Sequence, residues 1–437
     1  MTHYTATPEV PLLPRNQLLA ISVYWFGINM LWGGYEIFGQ WKVENLIGQA
    51  HRGEIMGYIE FGGAIVSILA QPTIGTISDY LITRWGRRKP FILIGGLLDV
   101  VFIYGIVTSH TLTALAAFLL LLAFSSNFAQ GPFQGYVPDL VPERQVNTAS
   151  MLVGLMRTMG VIAGAALVST GATTGDYGLP LLGIGLIEAA LAVLTVITVR
   201  EGPVARPRNG RSWLSIAREA WGTDALRERG FVFMTLTRLL FLMGPSVFVN
   251  LSLYYVRDSL GQTGGAQTLW LTVGTATLAL GTLVGALPSG VLGTRIGRKP
   301  VIWLAALTAG IGIVLVARAA TPIEALPGMA LLGVGSGAYL AMDWALMTST
   351  IPRVASGRYM GLANIANSIS GPLALIIGGR VLDEVTRTAG LDAAPRAAIL
   401  VGLLFLAGAA LMLIPVRPHV EPPTDVHLAA AASSSGG

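Results

Sequence analysis

Seven ionisable side chains fall inside otherwise apolar stretches: Glu36, Glu60, Asp99, Arg157, Glu188, Arg238 and Asp343. A charge in such surroundings is expensive and needs a partner, a wetted cavity or a job. Arg157 offers a planar fork that donates paired hydrogen bonds to hydroxyls or to a carboxylate. Its structural alternative is a brace for Asp99 or Glu188. Asn364 and Asn367 share a helix face and supply both donors and acceptors, which suits a polyol. Asn127, Gln130 and Gln134 recur at three- and four-residue spacing, making one amide stripe that either glues helices or faces a cavity. Asp343 and Arg238 lie about equally deep in their runs; if those runs are neighbours, Asp343 is read as a proton carrier whose affinity depends on the nearness of Arg238, or with it as a fixed brace. Asp99 is a second candidate for the proton, against a bracing role for it and Glu188. Glu36 follows Asn29, Trp32 and Tyr35 and is read as a substrate contact, Glu60 as a wetted rim residue. Tyr35 and Trp344, with Tyr24, Trp25 and Tyr254, are the aromatic faces on which a ring can stack.

Other chemistries are missing. The chain has no Cys, and its five His lie in loops or tails. Thiolate, Cys-ligated metal and His-based sites are therefore not expected. There is no phosphate-binding loop for an ATP-driven pump. Neither enzyme activity nor a cofactor is expected.

The elements that must position these residues follow from composition. The 437 residues are 53% hydrophobic and 12% charged, about half the charge of an ordinary soluble chain. Mean hydropathy is +0.65 over the whole length. At about 20 apolar residues per crossing, the chain predicts repeated passage through a bilayer. Hydrophobic runs fall near 16–40, 54–78, 90–109, 113–135, 147–170 and 178–200, then near 231–257, 267–293, 299–319, 326–349, 358–381 and 395–416. The expected organisation is a terminus 1–15, a bundle 16–200, a linker 201–230, a bundle 231–418 and a disordered tail 419–437. The linker's Trp213, Leu214, Ala217, Ala220 and Trp221 share one helical face with Arg residues around the other, which reads as a membrane-surface helix or a solvated linker. The polar, Pro-interrupted start lacks the pattern of a cleaved leader.

Charge sets the expected orientation. Of 28 Lys and Arg residues, 19 fall at the termini, the even-numbered loops and the linker, against 7 in the odd-numbered loops and 2 within spans. Positive residues mark the cytoplasmic side, so both termini and the linker are expected there. The net charge of +5 is then topology, and nucleic acid is not an expected partner.

Two internal echoes support duplication. TRWGRRKPFI at 83–92 recurs as TRIGRKPVI at 294–302, and ASMLVGLMRTMG at 149–160 aligns with SGRYMGLANIAN at 356–367. The first copy, Gly75-x-x-x-Asp79 followed by Arg84, Gly86, Arg87 and Arg88, resembles the loop signature of the major facilitator superfamily. Within it, QPTIGTISDYLITRWGRRKPFI, NFAQGPFQGYVPDL and YLAMDWALM resemble segments of the sucrose–proton symporter family and its bacterial relatives. The resemblance implies an all-α integral membrane fold of twelve helices in two pseudo-symmetric six-helix bundles. It implies a monomeric secondary transporter in a cell membrane, moving a sugar or glycoside with protons. Asp79 and the Arg cluster would form a conformational latch, weaker in the second half, where Gly290 replaces the acid. Two departures accompany it. Ala123 stands where the family has a fourth-helix acid, and PSVFVNLSLYYVRD stands in place of an Asp-Thr-Asp-Trp segment. They leave open a proton-antiport exporter of amphiphilic compounds, and a non-transporting scaffold is the third reading.

Overall fold

The computed structural model describes residues 12–81, 83–201, 210, 212, 228–350 and 356–416; for residues 143, 147, 344, 345, 347–350 and 356–364 it describes the backbone alone. Most of the expected linker, the tail and the first eleven residues lie outside this set. Among the described residues the regular structure is helical, apart from one bridge between Thr83 and Gly86. The long helices are α1 (Arg15–Ile47), α2 (Arg52–Ser78), α3 (Lys89–Thr108), α4 (Leu112–Gln134), α5 (Val146–Ser169) and α6 (Gly178–Thr198). The second set is α7 (Arg229–Asn250), α8 (Gly264–Ile296), α9 (Arg298–Arg318), α10 (Pro322–Thr350), α11 (Ser356–Ala389) and α12 (Ala393–Met412).

Eleven helices among the described residues are long and apolar enough to cross a membrane. The exception, α1, carries Glu36, Lys42 and Glu44 along its 33 residues. Helices suit a bilayer because each satisfies its own backbone hydrogen bonds. Leu97, Val101, Ile197, Leu287 and Leu404 stand exposed on the outside, where lipid rather than water is their natural solvent. The chain is a multi-pass membrane protein.

The same pairings recur in each half. Helix α1 packs on α5 and α6 as α7 does on α11 and α12, and α4 packs on α2 and α3 as α10 does on α8 and α9. The result is two pseudo-symmetric six-helix bundles. Small residues let backbones meet: a Cβ on Gly33 of α1 would lie 2.7 Å from the Val161 carbonyl oxygen of α5. In the second half, a Cβ on Gly281 of α8 would lie 2.6 Å from the Ala330 carbonyl oxygen of α10. Without a hydrophobic drive between helices in lipid, close contact of this kind holds them together.

Some boundaries differ from the sequence expectation. Helix α1 runs on to Ile47, so Lys42 is not a loop residue; its ammonium donates to the Val107 carbonyl at the end of α3, 2.7 Å away. The seventh run is shorter, because the chain leaves α7 at Asn250 and turns through a single wide helical turn, Tyr255–Ser259.

Candidate functional site

Helices α7 and α10 bring one expected pair together. Arg238 Nε lies 3.4 Å from Asp343 Oδ2, and the Tyr339 hydroxyl donates to Asp343 Oδ1 at 3.0 Å. Asp343 is 1% exposed and Arg238 4%, so this ion pair is dry. Phe241 stacks on the Tyr339 ring at 3.7 Å between centroids, holding the hydroxyl toward the carboxylate. Protonating the acid would weaken its hold on the guanidinium.

Among the described residues, Arg157 pairs with neither Asp99 nor Glu188. It is exposed, and its guanidinium carbon sits 5.1 Å from the centre of the Trp25 ring on α1. A cation over an indole face keeps its planar fork free at the edges. It lies roughly 17 Å along α5, near mid-membrane. Asp99 and Glu188 instead share a fully buried knot inside the first bundle. The Ser125 hydroxyl donates to Asp99, Tyr24 donates to Glu188 at 3.1 Å, and the two carboxyls face each other. Four helices meet there, α1, α3, α4 and α6.

The amide stripe divides. Asn127 is buried, with Nδ2 donating at 2.8 Å to both Ser67 of α2 and the Ala123 carbonyl. It ties α4 to α2. Gln130 is half-buried, and Gln134 is exposed. Asn367 is exposed on α11, while the side chains of Asn364 and Trp344 lie outside the described set. Ala123 is 1% exposed, and a Cβ on Gly63 of α2 would rest 3.6 Å from its methyl, an ordinary contact. Helices α2 and α4 meet at that point.

The Arg-rich loop forms a network inside the first half. Arg88 Nη2 meets Asp79 at 3.0 Å and Asp139 at 2.5 Å, Nη1 donates to the Pro132 carbonyl at 2.6 Å, and Arg87 also pairs with Asp139. Arg84 is exposed and lies over Trp85. Gly75 meets Gly131 of α4, and Gly86 has φ +122°, a conformation other residues rarely adopt. Asp79 does not cap α3. That task falls to Glu201, which accepts from the backbone N–H of Arg87, Arg88 and Lys89 at 2.5 to 3.0 Å and from the Tyr136 hydroxyl. Sequence reasoning missed Glu201 and Asp139. Their only signals were a first acid after the sixth run and the Asp-Leu ending of the fourth-helix segment.

Sequence reasoning also missed the joint between the halves. Every hydrogen bond and ion pair described between them lies at the end opposite the termini, here the far end. Arg52, fully buried, bonds Glu44 at 2.9 Å and Asp258 at 2.6 Å, with its guanidinium 3.9 Å from the Tyr254 ring centre. Arg257 bonds Glu44 at 2.8 Å and Asp258 at 2.6 Å. Burial opposes the charge on Arg257, but hydrogen bonds and fields from Asp258 and Glu44 outweigh it, so its pKa is raised. Leu253 N–H and the Tyr254 hydroxyl donate to Gln40. Asp383 of α11 accepts from the N–H groups of Gly53 and Glu54, capping α2 from across the joint. Thus residues 253–258, within the segment that departs from the symporter pattern, supply much of the closure. At the other end, the described polar contacts of the Arg-rich loop stay within the first half.

A family model described as Major Facilitator Superfamily matches residues 18–375 and, again, 234–433. A human membrane-associated transporter protein is 23% identical over 177 residues, 36% of this chain and 33% of that one. Sucrose transport protein SUC3 of Arabidopsis thaliana is 29% identical over 136 residues, 26% and 23% of the two chains. Human proton-associated sugar transporter A is 27% identical over 182 residues, 36% and 24%. The matched region thus spans a quarter to a third of these relatives. Among solved structures, a bacterial homologue of the human lysosomal transporter Spinster, inward-facing and unoccupied, superposes with TM-score 0.74 at 14% identity, covering 91% of this chain and 96% of that one. The nucleoside transporter NupG gives 0.72 at 16% identity over 92% and 99%.

Proposed function

The chain belongs to the major facilitator superfamily, and on that premise we propose that it is a secondary active transporter coupling proton entry to uptake of a sugar or glycoside. The buried Asp343–Arg238–Tyr339 cluster carries the reading. It supplies one titratable carboxyl on α10 whose charge partner sits on α7. With Asp343 charged, the pair holds α7 to α10; with it neutral, the hold relaxes and Arg238 seeks other partners. Likeness to sucrose and proton-associated sugar transporters supports the substrate class. Arg157 over Trp25 offers a donor fork beside an aromatic face, and Gln130 and Asn367 add amides from α4 and α11. The excess of Lys and Arg at the termini end orients it to the cytoplasm, so the far end is external. The closed far end is then the state that releases substrate inward, and the Arg-rich loop tightens the first bundle as the halves rock.

A second reading, proton-antiport export of amphiphilic compounds, draws on Ala123, which stands where the resemblance places the symporters' usual acid. One experiment separates the two. Proteoliposomes are given a panel of labelled sugars with and without an inward proton gradient, beside an efflux assay with apolar dyes. Symport predicts gradient-stimulated sugar accumulation, lost in Asp343→Asn. Dye efflux without sugar uptake overturns the proposal, and accumulation that survives Asp343→Asn removes Asp343 from coupling.

A further inference from the structure

Two carboxyls on facing helices of the first bundle have no Lys or Arg paired with them among the described residues. Glu36 lies about 16 Å from the far end of α1 and Glu60 about 12 Å into α2, at 1.5 Å per residue. The helices run antiparallel with Gly39 against Met56. One further turn of that register sets Glu60 against Glu36 and the phenol of Tyr35. No described hydrogen bond or ion pair engages either carboxyl group; Gln40 reaches only the backbone carbonyl of Glu36. Glu36 Oε2 and the Tyr35 hydroxyl are buried without a partner, and Tyr35 is 3% exposed. Among the described residues, the titratable groups facing one another here are these three, with no Lys or Arg.

The other intramembrane acids differ. Asp343 has Arg238, while Asp99 and Glu188 receive hydroxyl donors. Two bare carboxylates so placed would each bear a desolvation cost and repel the other. Both Glu36 and Glu60 keep partial exposure, so a small ligand can reach them. The donor set is five oxygens, which suits a hard cation but falls short of the six to eight that calcium takes.

We propose that Glu36, Glu60 and Tyr35 form a binding site for one monovalent cation, sodium or a proton, between α1 and α2. The site stands apart from Asp343 and from the direction of transport, so it survives if sugar symport is disproved. Trp32 reports on it, its ring lying 5.9 Å from that of Tyr35.

The test uses the purified full chain, with thermal unfolding followed in sodium chloride against choline chloride at alkaline pH, and in choline chloride from alkaline to acidic pH. Trp emission is recorded alongside. Sodium, acid or both should raise Tm by about 2 °C or more and change the Trp32 signal, identified by its loss in Trp32→Phe. The increment should vanish in Glu36→Gln and in Glu60→Gln and persist in Glu384→Gln, a surface control. Because the readout is the increment within each variant, a shifted baseline Tm does not obscure it. An increment from sodium names sodium; one from acid alone names the proton. No response to either, a response that survives both glutamine variants, or one to magnesium alone overturns the site.

Discussion

Substituting Gly57 by Ala tests the far-end joint where its geometry is least forgiving. A Cβ on Gly57 would lie 2.6 Å from the Ile376 nitrogen and 2.8 Å from its Cα on α11, and one on Gly53 would lie 2.7 Å from the Gly379 Cα and carbonyl oxygen. These neighbours are backbone, so no rotamer change relieves the overlap, and the helices must part by roughly an ångström. Overpacking of this kind costs about 1–3 kcal/mol. Alanine also improves the helix by about 0.5–1 kcal/mol, but that gain is common to the closed and open states and cancels between them. The overlap exists only when the far end is shut. The ratio of closed to open should therefore fall by roughly 5- to 150-fold, with little change in Tm. The chain has no Cys, so spin labels at Gln49→Cys and Thr388→Cys, both exposed far-end sites on opposite halves, report the opening as a longer distance population. A distribution identical to that of the unsubstituted protein would refute the claim that backbone contact between α2 and α11 sets the closed state.

Three further outcomes follow from the buried polar groups. Arg52→Met leaves Glu44 and Asp258 to Arg257 alone; loss of a buried partner costs about 3–5 kcal/mol, and the surviving Arg257 places the effect near the lower end, read as a lower Tm and far-end opening. Arg238→Met strands Asp343 with only Tyr339 as donor, and Asp343→Asn added to it should recover most of the lost Tm, a coupling that a double-mutant cycle measures. Glu201→Gln keeps the shape but removes the charge that caps α3, and should cost about 1–3 kcal/mol in thermal unfolding while leaving the far-end label distances unchanged.

The membrane fold was legible because it is one-dimensional physics. Runs of about 20 apolar residues must become helices in lipid, and the two echoes at 83–92 and 149–160 marked the duplication. The Asp343–Arg238 pair was legible only through the resemblance, which makes the seventh and tenth helices neighbours at the similar depth where both charges fall. The two readings of Asn127 could not be separated in the sequence, because an amide stripe looks the same whether it faces a cavity or a neighbouring hydroxyl, and only the fold places Ser67 of α2 beside it. Glu201 escaped notice because capping depends on where a chain end arrives in space, not on its local pattern.

By itself, then, the sequence determined the apolar helices, the two-bundle plan and which few charges enter the membrane, for those depend on composition and spacing along the chain. Tertiary structure alone decided which charges meet. It joined Arg52 to Asp258 and Gly57 to Ile376 across some two to three hundred residues, shut the far end, and left Glu36 and Glu60 facing each other. Pair energies depend on distances of a few ångströms, and those distances are set by how helices pack.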